Sequence, residues 1–199
     1  MAGGVVVIAM GTVMAESADV TPRKTDTATF AGGCFWCMQP PYDQLRGVLS
    51  TTVGYTGGTK PNPTYEEVSS GKTGHAEAVQ IVYDPTQLRY AKLLEVFWAH
   101  INPTTLNQQF ADHGSQYRTA IFYHTPEQQQ LAEASKAQLA KSGKFDQPIV
   151  TEIVPASTFY PAEAYHQKYY QQCPLQYKIY HEASGRAGYV RKRLGKSAE

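Results

Sequence analysis

The chain has 199 residues with a net charge of +1, 42% hydrophobic and 18% charged residues. That is enough for one globular domain with a real core, and two domains would be cramped. The near-zero charge gives no electrostatic case for nucleic acid or acidic membranes, and the one basic cluster, "RKRLGK" at 191–196, reads as a solvated tail.

Residues 1–24 read as a leader and its lead-in. "MAGGVVVIAMGTVMA" is apolar, the following "ESADVTPRKTDT" is polar, and Val13-Met14-Ala15 satisfies the small-residue rule at a cleavage site. The apolar run is too short to span a bilayer, so stable membrane insertion is not expected. Although no Lys or Arg precedes the run, export with a mature start near Glu16 is the favoured expectation; a cytoplasmic location follows if the segment is not a signal. Residues 25–190 are expected to form the catalytic domain and 191–199 a basic tail.

Thr27–Ala31 ("TATFA") is a strand running into Gly32-Gly33 and the first cysteine. Proline is tolerated only in the first turn of a helix, so Pro40 and Pro41 predict a helix over roughly 38–46. Leu49–Tyr55 is a Thr- and Val-rich strand, and "TGGTKPNPTYEEVSSGKTGH" after it has the composition of a long loop, of the kind that is usually functional. Ala76–Tyr83 is a strand ended by Asp84-Pro85. Tyr90, Leu93, Leu94, Phe97 and Ile101 recur at helical spacing. A second polar loop, "NPTTLNQQFADHGSQY", leads to a strand over 118–123 and to a helix that Thr125 caps and Pro126 begins. Ile149–Pro155 is a further strand, and Pro161–Gln172 has helical composition, closed by Cys173-Pro174. Strands and helices alternate without Rossmann or P-loop glycine spacing, which predicts one domain mixing α and β structure.

Three cysteines always leave one unpaired, and a chain of this size needs no staples, so cysteine here points to chemistry. Zinc would want four ligands, yet there is a single CxxC and the six histidines are scattered. Cys34–Cys37 between a strand and a helix suits a thioredoxin-like pair, because a helix N-terminus stabilises a thiolate; the bulky Phe35-Trp36 between the sulfurs does not. Cys34 as a lone nucleophile fits as well, since Gly32-Gly33 allow close backbone approach and Phe35-Trp36 supply an apolar wall. Alternation along Ala76–Tyr83 places Glu77 on the same face as Val79 and Ile81. A carboxylate on a buried face usually has a reason.

The segments "GGCFWC", "VGYTGGTKPNPTYEEVSSGKTGHAEAVQIVYDP", "LLEVFW", "NPTTLNQQFADHGSQYRTAIFY" and "AEAYHQKYY" closely resemble peptide-methionine sulfoxide reductases of the A type, from about Thr27 to Arg186. The resemblance implies an α+β fold, a two-layer sandwich with a mixed sheet and a ferredoxin-like plait core. It also implies reduction of the S epimer of methionine sulfoxide, protein-bound or free, as repair of oxidative damage. On that resemblance Cys34 attacks the sulfoxide sulfur, Phe35 and Trp36 hold the ε-methyl group, and Glu77 donates a proton to the oxygen. Tyr65 and Tyr117 hydrogen-bond the same oxygen, and Asp112 helps hold the substrate. Cys34 is left as a sulfenic acid, which a second thiol converts to a disulfide. Cys173 is slightly favoured over Cys37 for that step, and thioredoxin, or dithiothreitol in vitro, restores the thiols. No bound cofactor or metal and a monomeric state are expected. The sequence departs from the family pattern at Cys37, where Gly is frequent, at Gln39, where an acid is frequent, and at Ser69, where some members carry a further cysteine.

Overall fold

The computed structural model describes residues 24–195 together with Met1 and Gly3; the leader, and the export reading that depends on it, fall outside the described residues. The fold is built on a βαββαβ run: β1 (Asp26–Gly32), α1 (Phe35–Asp43), β2 (Val48–Thr56), β3 (Ala76–Tyr83), α3 (Tyr90–His100) and β6 (Thr119–Tyr123), with a short α2 (Tyr65–Ser69) between β2 and β3. With β7 (Glu152–Pro155) and β8 (Tyr160–Pro161) these strands form one sheet in the order β7-β6-β1-β3-β2-β8. Only the β6–β7 pair is parallel, so the sheet is mixed, and the expected α+β architecture is what the chain adopts.

Side-chain alternation divides the sheet into two faces. Phe30 pairs with Val79 on one side and Ile121 on the other, and all three point into the main core. There the Phe30 ring stacks with Tyr42 of α1, Tyr90 and Phe97 of α3, at 5.2 to 6.0 Å between centroids. The helices α1, α3 and α4 (Pro126–Lys141) cover this face. The opposite face is small and alanine-rich (Ala31, Ala76, Ala78, Ala120 around Phe122), and Val154, Ala156 and Phe159 lie over it.

Several elements differ from the sequence reading. The helix after Cys34 starts at Phe35, not near 38, so Pro40 and Pro41 lie in its second turn. The early start is stabilised from elsewhere: the Phe35 N–H, one of the donors a helix start leaves unpaired, donates to Glu77 Oε2 on β3 at 3.1 Å. The first long loop contains α2, begun by a capping box in which Thr64 and Glu67 bond each other's backbone N–H; the T-x-x-E spacing carries that signal. The second loop contains a small hairpin, β4 (Gln108–Gln109) and β5 (Asp112–His113), and a 3-10 turn, Ser115–Tyr117.

Pro161–Gln172 is not one helix. It holds the end of β8, a 3-10 turn (Ala164–His166) and a single-turn α5 (Tyr169–Gln172). Tertiary bonds override its helical composition: Gln167 bonds both backbone groups of Val53, and Gln39 Oε1 takes the N–H of Lys168, whose φ is +49°. Two further helices follow, α6 (Pro174–Ala183) and α7 (Arg186–Arg193). The expected boundary at 190 falls inside α7, where Arg191 pairs with Glu182 and Arg193 lies 3.9 Å over the Phe145 ring; residues 191–193 are therefore helix, not tail.

Candidate active site

The site is organised around the turn between β1 and α1. Gly33 has φ +80°, and a Cβ there would fall 2.5 Å from Gln109 Cβ and 2.6 Å from Arg186 Nη2. Both packing and conformation thus require glycine at that position. The turn delivers Cys34 as the residue immediately before the first turn of α1, only 6% exposed.

Glu77 approaches from β3, opposite Tyr55 of β2, on the face it shares with Val79 and Ile81. It is 2% exposed. Burial, then the nearby Cys34, pushes its carboxyl well above the usual carboxylate range, and the Phe35 N–H opposes this only in part. Glu77 is therefore a carboxylic acid at neutral pH, able to give a proton. Burial likewise raises the Cys34 thiol, helped by its hydrogen bond to Cys37. Cys37 moves the other way, through its interaction with Cys34 and the positive charge of Arg186.

Aromatic side chains enclose these groups. Phe35 is buried against Tyr55 and His166. Trp36 stacks on Tyr169 with ring centroids 3.9 Å apart and planes 10° off parallel, and its Nε1 donates to His166 Nδ1 at 3.0 Å. Since Nδ1 accepts, the His166 proton is assigned to Nε2; burial lowers its pKa and keeps the ring neutral. Tyr65, at the start of α2, is anchored by its N–H to Glu163 Oε1 at 2.9 Å, while Tyr55 donates to Glu163 Oε2 at 2.8 Å. Burial, with the Glu77 carboxyl close by, raises both Tyr65 and Tyr117, which leaves two phenol donors near that carboxyl. Tyr180 of α6 donates to Asp112, with both carboxylate oxygens within 2.7 Å, and its hydroxyl also neighbours the Cys34 thiol.

The structure brings Cys34, Cys37, Phe35, Glu77, Tyr65, Tyr117 and Asp112 into one constellation. Trp36 borders it. Cys173, half-buried at the start of α6, lies beside Tyr169, whose ring stacks on Trp36. All three cysteines are free thiols. Gln39 has a structural explanation: fully buried, it uses its amide both to donate to Thr51 Oγ1 and to accept from the Lys168 N–H, which a carboxylate could not do.

Tyr180, Arg186, His166 and Glu163 are site residues that sequence reasoning does not find. Tyr180 and Arg186 lie on α6 and α7, helices for which Pro174 and Gly185 were the available punctuation.

Residues 26–198 match the family model described as peptide methionine sulfoxide reductase. The chain belongs to the peptide methionine sulfoxide reductase family. Among its relatives, the peptide methionine sulfoxide reductase MsrA of Bacillus subtilis strain 168 is 55% identical over 173 residues, covering 87% of this chain and 98% of that one. Methionine sulfoxide reductase A of Corynebacterium diphtheriae has a solved structure that is 38% identical, with TM-score 0.68 over 78% of each chain. Reduced Mxr1 from Saccharomyces cerevisiae is 32% identical with TM-score 0.71, over 78% of this chain and 89% of that one. This reductase family acts on methionine sulfoxide, and the constellation around Cys34 is the candidate site for that reaction.

Proposed function

We propose that the chain reduces the S epimer of methionine sulfoxide, in proteins or free, through a sulfenic acid on Cys34. The observation that carries the reading is the placement of a buried, neutral Glu77 against the first turn of α1, its carboxyl accepting the N–H of the residue after Cys34. A sulfoxide is a poor electrophile until its oxygen is protonated or strongly hydrogen-bonded. Glu77 supplies the proton, and the hydroxyls of Tyr65 and Tyr117 stabilise the developing charge. Phe35 and Trp36 form the apolar surface for the substrate methyl group, and Asp112, tied to Tyr180, orients the remainder.

In the first step the substrate sulfur gains two electrons and leaves as methionine. The Cys34 sulfur loses two, and the oxygen ends as its sulfenic hydroxyl, carrying the equivalent of the thiol proton. Glu77 gives a proton to the oxygen and recovers one from Cys34, so it finishes as it began. Cys37 then resolves the sulfenic acid, because it stands one helical turn from Cys34, its backbone N–H donating to the Cys34 carbonyl at 3.1 Å; this proximity favours it over Cys173. The more accessible Cys173 passes the disulfide outward to a thioredoxin-like dithiol, the class of partner suggested by the yeast relative Mxr1 in complex with Trx2. The strand order β6-β1-β3-β2 within the sheet supports the ferredoxin-like plait. A monomeric state and export belong to the same proposal.

The test is single-turnover reduction of the separated sulfoxide epimers by pre-reduced protein. The expected result is one methionine per enzyme from the S epimer and none from the R epimer; reduction of both, or of R alone, would overturn the reading.

A further inference from the structure

Glu163 precedes the 3-10 turn Ala164–His166, yet its side chain caps none of that turn's N–H groups. Both carboxylate oxygens reach across to other elements instead. Oε1 takes the backbone N–H of Tyr65 at 2.9 Å, and Oε2 takes the hydroxyl of Tyr55 at 2.8 Å. The two donors serve different sides of the site. Tyr65 opens α2 and brings one of the two phenols for the substrate oxygen. Tyr55 lies on β2 directly opposite Glu77, and its ring packs 6.0 Å from that of Phe35. The His166 ring touches both sides, 4.5 Å from Tyr65 and 5.0 Å from Phe35 between centroids.

Tyr65 depends on this tie because of where it sits. The chain leaves the sheet at the end of β2 and returns at Ala76, and α2 between them is only five residues long. His75 holds the base of this excursion, its ring bonding the Gly58 N–H at 3.1 Å and the Lys60 carbonyl at 2.7 Å. Gln116 holds the far end of α2, donating to the Ser69 carbonyl at 3.2 Å. Among the described residues, the Tyr65–Glu163 bond is the one hydrogen bond that ties residues 61–68 to anything outside residues 57–75. A helix this short has little stability of its own, so tertiary contacts must fix where its first side chain stands.

We propose that Glu163 is a positioning residue for the reductase step: by holding the Tyr65 backbone and the Tyr55 hydroxyl on one carboxylate, it fixes the Tyr65 phenol relative to Phe35 and Glu77. The inference rests on the reading that Tyr65 hydrogen-bonds the sulfoxide oxygen. A sulfoxide carries its oxygen and its methyl group on one pyramidal sulfur, so the oxygen donors and the apolar wall must be placed together. Glu163 joins the elements that carry them. It exchanges no proton in this role and acts through Tyr65.

The experiment measures single-turnover methionine formation at saturating S sulfoxide. Native protein, Glu163→Ala, Glu163→Gln, Tyr65→Phe and the double variant Glu163→Ala with Tyr65→Phe are compared. Removing one preorganised donor costs about 10²-fold, and Tyr65→Phe is expected near that figure. Misplacing a catalytic group by about 1 Å costs up to a similar factor, so Glu163→Ala should be at least about tenfold slower than native. Once the hydroxyl is gone its position no longer matters, so adding Glu163→Ala to Tyr65→Phe is expected to cost less than about threefold more. Glu163→Gln should stay within about threefold of native, because its carbonyl can accept the Tyr65 N–H while its NH2 donates to the Tyr55 hydroxyl.

A native rate in Glu163→Ala, or losses that multiply in the double variant, would overturn the inference, the second by showing that Glu163 only braces the C-terminal segment. Glu163→Gln as slow as Glu163→Ala would overturn it too, since charge and not geometry would then be at work. Should Glu163→Ala fail to fold, Tyr55→Phe removes the second tie and leaves the ring in place. Its loss is expected to be about threefold, the worth of one hydrogen bond, and to vanish in the Tyr65→Phe background; no loss, or one that persists there, would contradict the account. A native rate in Tyr65→Phe alone would instead show that the underlying reading of Tyr65 is wrong, and the inference would fall with it.

Discussion

Cys34→Ser is expected to lose methionine formation by at least about 10³-fold while keeping its fold. A serine hydroxyl is a far weaker nucleophile than a thiolate unless a base activates it, and Glu77, held protonated by its burial, is no base at neutral pH. Serine is smaller than cysteine, and the bonds that hold the turn, Phe35 N–H to Glu77 and Arg186 to the Gly32 carbonyl, do not use this side chain, so the turn and α1 should be unchanged. Steady-state and single-turnover assays, with circular dichroism as a control, check this. Residual turnover within tenfold of native would remove Cys34 from the mechanism.

Glu77→Gln is expected to lower the rate of methionine formation by about 10² to 10⁴-fold, the usual contribution of a positioned acid. The amide still accepts the Phe35 N–H, so the loss reports the proton and not the geometry. The pH profile separates the two proteins further. Because Glu77 must carry its proton, native activity falls as pH rises through its raised pKa, and that alkaline limb should vanish in Glu77→Gln.

Stability should respond to the same substitution in the opposite sense. A carboxyl whose folded pKa lies above its unfolded value of about 4.3 contributes stability that is fully present below that pH and is lost as pH rises through the folded value. The native protein therefore loses stability across this window, and Glu77→Gln, with nothing to ionise there, should be relatively more stable at neutral and alkaline pH. Thermal unfolding of both proteins as a function of pH measures the difference. An unchanged rate together with an unchanged alkaline limb would show that the proton comes from another group.

The sheet and the nucleophile are legible in the sequence because their signals are local. Alternation in "AEAVQIVY" places Glu77 on the buried face, and GGC between a strand and a helix locates the turn. The errors fall where a distant residue decides the local conformation. Pro40 and Pro41 argue for a later helix start, but Glu77 supplies a partner for the Phe35 N–H from β3. "PAEAYHQKYYQQ" has helical composition, but Gln39 and Val53 take its backbone and side-chain bonds. The absence of α6 and α7 from the sequence reading has the largest consequence. It hides Tyr180, which joins Asp112 to Cys34, and Arg186, whose buried charge no periodicity announces.

The most direct test of the central claim is a peptide map after one turnover on the S sulfoxide, using pre-reduced protein in which Cys37 and Cys173 are both replaced by serine. One methionine per enzyme, with a gain of about 16 Da confined to the peptide carrying Cys34, is the result expected for a sulfenic acid formed there. Methionine released while Cys34 stays a free, alkylatable thiol would contradict the account.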